Sequence, residues 1–194
     1  MSDLEPLLVT SLVTDVLEKL AIPYVIGGSL ASIAHGMMRT TMDADIVADM
    51  PLVQADPFVK ALQDQFYVDL EAVQQAVQRQ SSFNLIHLET MFKVDIFVAK
   101  DRPFDRQQLL RRTAYVISQD PERIAWILSA EDIVLAKLDW FQLGGRTSER
   151  QWRDILAVLK TQAEQLDVPY MREWASSLGI QDLLALALAE ADIA

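Results

Sequence analysis

The stretch YVIGGSLASIAHGMMRTTMDADIVADM, Tyr24 to Met50, sets a physical puzzle. An apolar run ends in a glycine pair, Gly27 and Gly28, and a second apolar run further on contains Asp43 and Asp45 one residue apart. Side chains on a strand alternate with a period of two, so Asp43 and Asp45 point to the same side. Two carboxylates that close repel, and burial makes the repulsion worse. A structure tolerates them if a cation lies between them or if their face is open to water. Carboxylate and water oxygens are the ligands Mg²⁺ takes, usually with substrate phosphates completing its shell. Asp95, in FKVDIFV, is a third acid in the middle of another strand-like run. If the two strands are neighbours, three carboxylates converge.

An isolated Asp-x-Asp is more simply read as a solvated strand face, with Asp95 unrelated to it. The glycine turn changes the weighing. Gly27 and Gly28 reach backbone angles that other residues avoid and let a ligand approach closely. Ser29 is expected to cap a helix through LASIAH that stops at Gly36, and the free N–H groups at such a helix start attract phosphate. In chain order this makes a phosphate cradle, an acid pair and a third acid.

The string IGGSLASIAHGMMRTTMDADIV resembles the signature of the nucleotidyltransferase superfamily of the DNA polymerase β type: an apolar residue, Gly, then Gly or Ser, a short helix, then Asp-apolar-Asp-apolar. Gly28-Ser29 are followed by thirteen residues and then Asp43-Ala44-Asp45-Ile46. The fuller pattern looks most like the bacterial abortive-infection (AbiEii-type) nucleotidyltransferases and their uncharacterised relatives, with a helix like SAEDIVLAKLDWF and a later Arg-Asp, here Arg153-Asp154. The resemblance covers about Tyr24 to Leu159. It departs at Ala44, where a larger aliphatic residue is usual, and the length of the chain leaves room only for a small acceptor-binding region.

The resemblance implies an α/β (α+β) fold: a mixed-sheet nucleotidyltransferase core flanked by helices, with a C-terminal helical bundle. It implies transfer of a nucleoside monophosphate from a nucleoside triphosphate such as ATP to a hydroxyl acceptor, with release of pyrophosphate, assisted by two Mg²⁺ ions. Asp43 and Asp45 would bind metal, and Asp95 would position the ion on the nucleophile's side. Gly27, Gly28 and Ser29 would hold phosphates, with Arg39, Thr41 and Lys137 around the nucleotide. For Arg39 and Thr41 loop packing is an equally good reading, and for Lys137 a lysine whose stem lies half-buried beside Ile133 and Trp140. His35 reads as a capping or packing residue. Trp126, Trp140, Trp152 and Trp174 read as core packing rather than base-stacking platforms.

The remaining sequence sets bounds. At 194 residues, 51% hydrophobic, the chain suits one domain or a domain with a small appendage. No segment approaches the roughly 20 uncharged apolar residues that span a bilayer. Glu5, Asp15 and Glu18 break a signal-peptide reading. The absence of cysteine excludes disulfides and thiolate metal sites, so a cytoplasmic location is the default expectation. A formal net charge of −11 argues against general nucleic-acid binding. Two arginine groups, Arg102/Arg106/Arg111/Arg112 and Arg146/Arg150/Arg153, are local exceptions whose simplest reading is solvated surface.

Periodicity predicts a helix over about 4–20 with Leu8, Leu12, Val16 and Leu20 on one face. Strands are expected at YVIGG, ADIVA, FNLIHLE, KVDIFVA and AYVIS, with IAWIL as a last edge strand, and a helix over about 52–66. From Ser129, a capping-box start, the pattern is helical to the end. The expected division is a nucleotidyltransferase core over 1–120 and a helical region over 121–194. The acceptor is left open among an RNA end, a protein side chain and a small molecule. The rival function is a nucleotidyltransferase fold used as a binding module with little turnover, for example one component of a toxin–antitoxin pair beside a cognate antitoxin.

Overall fold

The computed structural model describes residues 5–36, 41–119 and 122–193. In chain order the elements are helix α1 (Glu5–Lys19), strand β1 (Tyr24–Ile26), helix α2 (Gly28–Ala34), β2 (Asp43–Ala48), a 3-10 turn (Leu52–Gln54), α3 (Ala55–Leu62), β3 (Phe66–Tyr67), α4 (Leu70–Arg79), β4 (Ser82–His87), β5 (Lys93–Val98), α5 (Pro103–Arg111), β6 (Thr113–Gln119) and β7 (Glu122–Ile127). Helices α6 (Ala130–Leu143), α7 (Glu149–Gln162), α8 (Val168–Leu178) and α9 (Gln181–Glu190) follow. The chain is α/β, and its described residues form a mixed seven-stranded sheet in the order β3-β4-β5-β2-β1-β7-β6. It forms two compact units: one of residues 5–30 and 41–127, the other of residues 31–36 and 128–193. Among the described residues no helix is long and apolar enough to cross a membrane.

In the sheet unit β2 pairs antiparallel with β1 and parallel with β5, so it is an interior strand flanked by hydrogen-bonded neighbours on both sides. The strand at IAWIL, expected at an edge, is interior too: β7 pairs parallel with β1 through Ile26 and Ile127 and antiparallel with β6. A connection of about a hundred residues separates Ile26 from Ile127, and nothing in the local pattern announces the pairing. The helix expected over 52–66 is shorter, because Gln65 and Phe66 turn into β3, where Phe66 pairs with His87.

Helix α1 buries Val9, Val13, Val16 and Leu17, whereas Leu8, expected on the buried face, is about half exposed. Thr10, Ser11 and Thr14 are buried beside that stripe, their hydroxyls donating to the carbonyls of Pro6, Leu8 and Ser11. A hydroxyl satisfied by its own helix can be buried at little cost, which widens the face beyond its apolar residues. Tyr24 of β1 is buried and donates to Glu18 Oε1 at 2.9 Å. Burial, and then the neighbouring Glu18, hold the Tyr24 hydroxyl well above the usual tyrosine range.

In the helical unit, Ser129 caps α6 by accepting from Asp132 N at 3.2 Å. The first turn then buries two acids, Glu131 and Asp132, where the helix N-terminus favours negative charge. Glu131 Oε1 accepts from Asp167 N at 3.1 Å, and Asp132 Oδ1 accepts from Tyr170 Oη at 2.7 Å. These bonds tie α6 to the start of α8. Tyr170→Phe removes a donor from a fully buried carboxylate, so we expect a loss of about 1–3 kcal/mol in urea unfolding. A variant as stable as the wild type would show that the other surroundings of Asp132 carry its charge unaided.

Candidate functional site

Along β2 the residues alternate. Ala44, Ile46 and Ala48 are fully buried, while Asp43, Asp45 and Val47 lie half-buried on the other face. β5 repeats the pattern, with Val94, Ile96 and Val98 buried and Lys93, Asp95 and Phe97 half-buried. The two strands run parallel in a register that sets Asp43 opposite Lys93 and Asp45 opposite Asp95. Three carboxylates and one ammonium therefore share one face of two adjacent strands. On the far side of β5, Asn84 of β4 stands opposite Asp95.

The turn after β1 wraps around Asp45. Gly27 is buried and its N–H donates to the Asp45 carbonyl at 2.8 Å, so that donor is used within the sheet rather than presented to a ligand. Gly28 adopts φ +55°, in the left-handed region, and a Cβ there would lie 1.8 Å from Asp45 Oδ2. Both requirements, backbone angle and space, select glycine. The helix expected to start after a Ser29 cap begins at Gly28, which places half-buried Ser29 inside the first turn of α2. Thr41 is buried, and its hydroxyl lies 2.9 Å from the Asp43 carbonyl and 3.1 Å from Asp43 Oδ1. It has one proton to give, shared between these two oxygens, and either way it ties Thr41 to Asp43 at the start of β2.

The charges on this face are balanced in an unexpected way. Lys93 Nζ lies 2.6 Å from Asp95 Oδ2. The bond to Asp95 holds the Lys93 ammonium above the ordinary lysine range; burial opposes this, and the charges of Asp95, Asp43 and Asp45 add to it. The donor chemistry of the face suits a hard divalent cation, since all three acids offer carboxylate oxygen. Yet among the described residues no three acidic or imidazole side chains are gathered as an ion-holding cluster. The three acids share a face, and one oxygen of the third is paired with an ammonium. Lys93 was missed in the sequence, although the signal is the one that singled out Asp43 and Asp45: it stands two residues before Asp95 in KVD.

Arg39 lies outside the described residues. In the helical unit Lys137 Nζ lies 3.4 Å from Asp154 Oδ2, and both side chains are only 14% exposed. His35 is half-buried with Nε2 2.8 Å from the Leu128 carbonyl, a packing contact. The tryptophans are not core residues. Trp140 is 54% exposed, Trp126 lies under the Arg112 guanidinium at 4.8 Å, and Trp174 rests against Tyr170. Trp152 lines a cavity of about 590 Å³ with Phe141, Leu183 and Leu186. Its indole donates to Glu190 at 2.6 Å, the polar handle that makes tryptophan suit a half-buried place. The first arginine group is largely spent locally: Arg102 on Asp105, Arg106 on Asp101, and Arg112 on the Tyr24 carbonyl.

Gly28→Ala tests the wrap around Asp45. Gly179 also has positive φ, +70°, but a Cβ there meets nothing within 4 Å. Alanine at Gly179 should cost only the backbone strain, about 1 kcal/mol, whereas Gly28→Ala should cost more because Asp45 must also move. Thermal melts of the two variants give the comparison, and equal losses would mean that Asp45 has room to spare.

No family model matches the chain, and no match is found among curated proteins. Solved structures do resemble it. An antigenic nucleotidyltransferase-like protein from Paracoccidioides brasiliensis aligns at TM-score 0.58 and 19% identity, covering 97% of this chain and 93% of its own. The antibiotic-resistance factor ANT(2'')-Ia aligns at TM-score 0.52 and 13% identity, covering 88% of this chain and 92% of its own. The lincosamide antibiotic adenylyltransferase LnuA, lincomycin-bound, aligns at 0.48 and 18% identity over 75% of this chain and 91% of its own, too weakly to speak for a shared fold. At these identities the likeness is one of architecture, and the chain has a nucleotidyltransferase-like fold.

Proposed function

We propose that the protein is a metal-dependent nucleotidyltransferase that moves a nucleoside monophosphate from a nucleoside triphosphate to a hydroxyl acceptor. The observation that carries this reading is the register of β2 and β5, which sets Asp45 beside Asp95 with Asp43 on the same face, against a turn that admits only glycine at Gly28. A fold with no use for clustered carboxylates has no physical reason to place three on one face of two adjacent strands. The order Gly-Gly-Ser, Asp-x-Asp and Arg-Asp supports an AbiEii-type affinity within the superfamily.

In the reaction the acceptor hydroxyl gives up its proton to water, its oxygen forms a bond to the α-phosphorus, the bond from that phosphorus to the bridging oxygen breaks, and pyrophosphate leaves. Bound Mg²⁺ would supply charge neutralisation for the triphosphate and for the departing pyrophosphate. Asp43 and Asp45 would hold it, with Asp95 serving the acceptor's side. Thr41 keeps Asp43 in place through its hydroxyl. Gly28 and Ser29 are assigned to the phosphates, with Gly27 shaping the turn, and Arg39 and Lys137 are assigned to the nucleotide.

The first test is a melting shift with MgATP and then with each other nucleoside triphosphate. Ligand at 100 times its dissociation constant should add about 2.7 kcal/mol. Incubation with each α-labelled triphosphate and cell extract then reports transfer and marks the acceptor. No shift with any triphosphate would favour the binding-module reading.

Asp45→Asn separates catalysis from folding. It removes a ligand and a charge from a face already crowded with negative charge, so without metal the variant should melt at the wild-type temperature or slightly above. Its shift on adding Mg²⁺ and nucleotide should shrink, and label transfer should vanish. A marked drop in metal-free stability with the nucleotide response intact would make Asp45 a structural residue.

A further inference from the structure

We infer that Lys93 is a positioning residue that holds Asp95 out of the metal-binding set while no nucleotide is bound, acting as a built-in counter-cation for the acid face. The inference rests on the reading of this face as a metal site. Lys93 stands opposite Asp43 in the strand register, Asp95 stands opposite Asp45, and Lys93 Nζ lies 2.6 Å from Asp95 Oδ2. The register thus puts the ammonium on the face that carries the three carboxylates. The same face, rich in carboxylate oxygen, gathers no three acidic side chains as an ion-holding cluster among the described residues.

An ammonium and a divalent cation compete for the same carboxylates. An ion entering the nucleotide-free protein finds Asp43 and Asp45, whereas Asp95 comes with a positive charge beside it that repels the ion. The pair is also only partly exposed, Lys93 at 42% and Asp95 at 21% of their side-chain surfaces, so water screens it incompletely. A triphosphate brings several negative charges to this face and is the chemical species able to draw the ammonium from Asp95. Lys93 would in this way tie the use of the third carboxylate to the presence of the nucleotide.

The test is Mn²⁺ binding without nucleotide, followed by electron paramagnetic resonance, alongside metal-free melting. Lys93→Met should bind Mn²⁺ on the order of tenfold more tightly than the wild type and should melt lower without metal, because Asp95 loses its paired ammonium. Lys93→Arg, which keeps the charge, should stay within about twofold of wild type in affinity. Asp95→Asn added to Lys93→Met should cancel the gain, since the gain comes from the third carboxylate. Lys93→Gln gives the same direction if Lys93→Met does not fold. If the wild type binds Mn²⁺ and Lys93→Met or Lys93→Gln binds it no more tightly, this proposal falls while the metal-assisted reading stands. If neither wild type nor variant binds Mn²⁺, both fall together.

Discussion

Like charges one residue apart on an interior strand must be reconciled with a sheet, and the sheet unit of this protein is organised around that demand. One side of β2 is fully buried through Ala44, Ile46 and Ala48, which forces Asp43 and Asp45 to the other side. That side cannot be dry, because unpaired carboxylates in a low-dielectric interior are costly. It is instead half-open and lined by groups that each answer one of the charges. Lys93 answers Asp95, Thr41 donates toward Asp43, and the bare Cα of Gly28 leaves room for the Asp45 carboxylate. Removing any of these changes the face without touching the hydrophobic layer behind it.

The acid face was legible because a strand's period of two is a strict geometric rule. The rule that set Asp43 and Asp45 on one side applies equally to Lys93 and Asp95 two residues apart. Lysine does not stand out in a pattern of metal ligands, because an ammonium is not one. What periodicity cannot give is the partner of a strand. Whether β5 lies beside β2 or several strands away depends on connections through α3, β3, α4 and β4, and the distant pairing of β1 with β7 closes the order.

The elements that escaped the sequence share a physical cause. Helix α4 buries only Val73 and Ala76, and α5 buries Phe104 with Asp105 and Gln108, so neither shows a full apolar stripe. In α5 the buried polar residue is paired: Asp105 accepts from Arg102 and from the Lys100 N–H. A pattern search weighted by hydrophobicity reads such a segment as an arginine-rich surface, when its charges are partly spent inside the fold. The same weighting misplaced the buried face of α1, where Thr10, Ser11 and Thr14 take core positions with their hydroxyls satisfied by backbone carbonyls.

The charge balance of the β2–β5 face bears on why the counter-ion is a lysine of the chain itself. On this face the Lys93 ammonium is paired with Asp95. A neutral residue in place of Lys93 would remove the partner of Asp95 and sharpen the repulsion between neighbouring carboxylates, at some cost in stability. A face with an arginine would risk a bidentate fork on Asp95, a pairing harder to undo than that of a single ammonium on a flexible stem. Lysine sits between these limits. It offsets the charge of Asp95, and its contact with Asp95 is one point, Nζ to Oδ2. A stronger partner would make the third carboxylate permanently structural, and a neutral one would leave the acid pair to bear the repulsion alone.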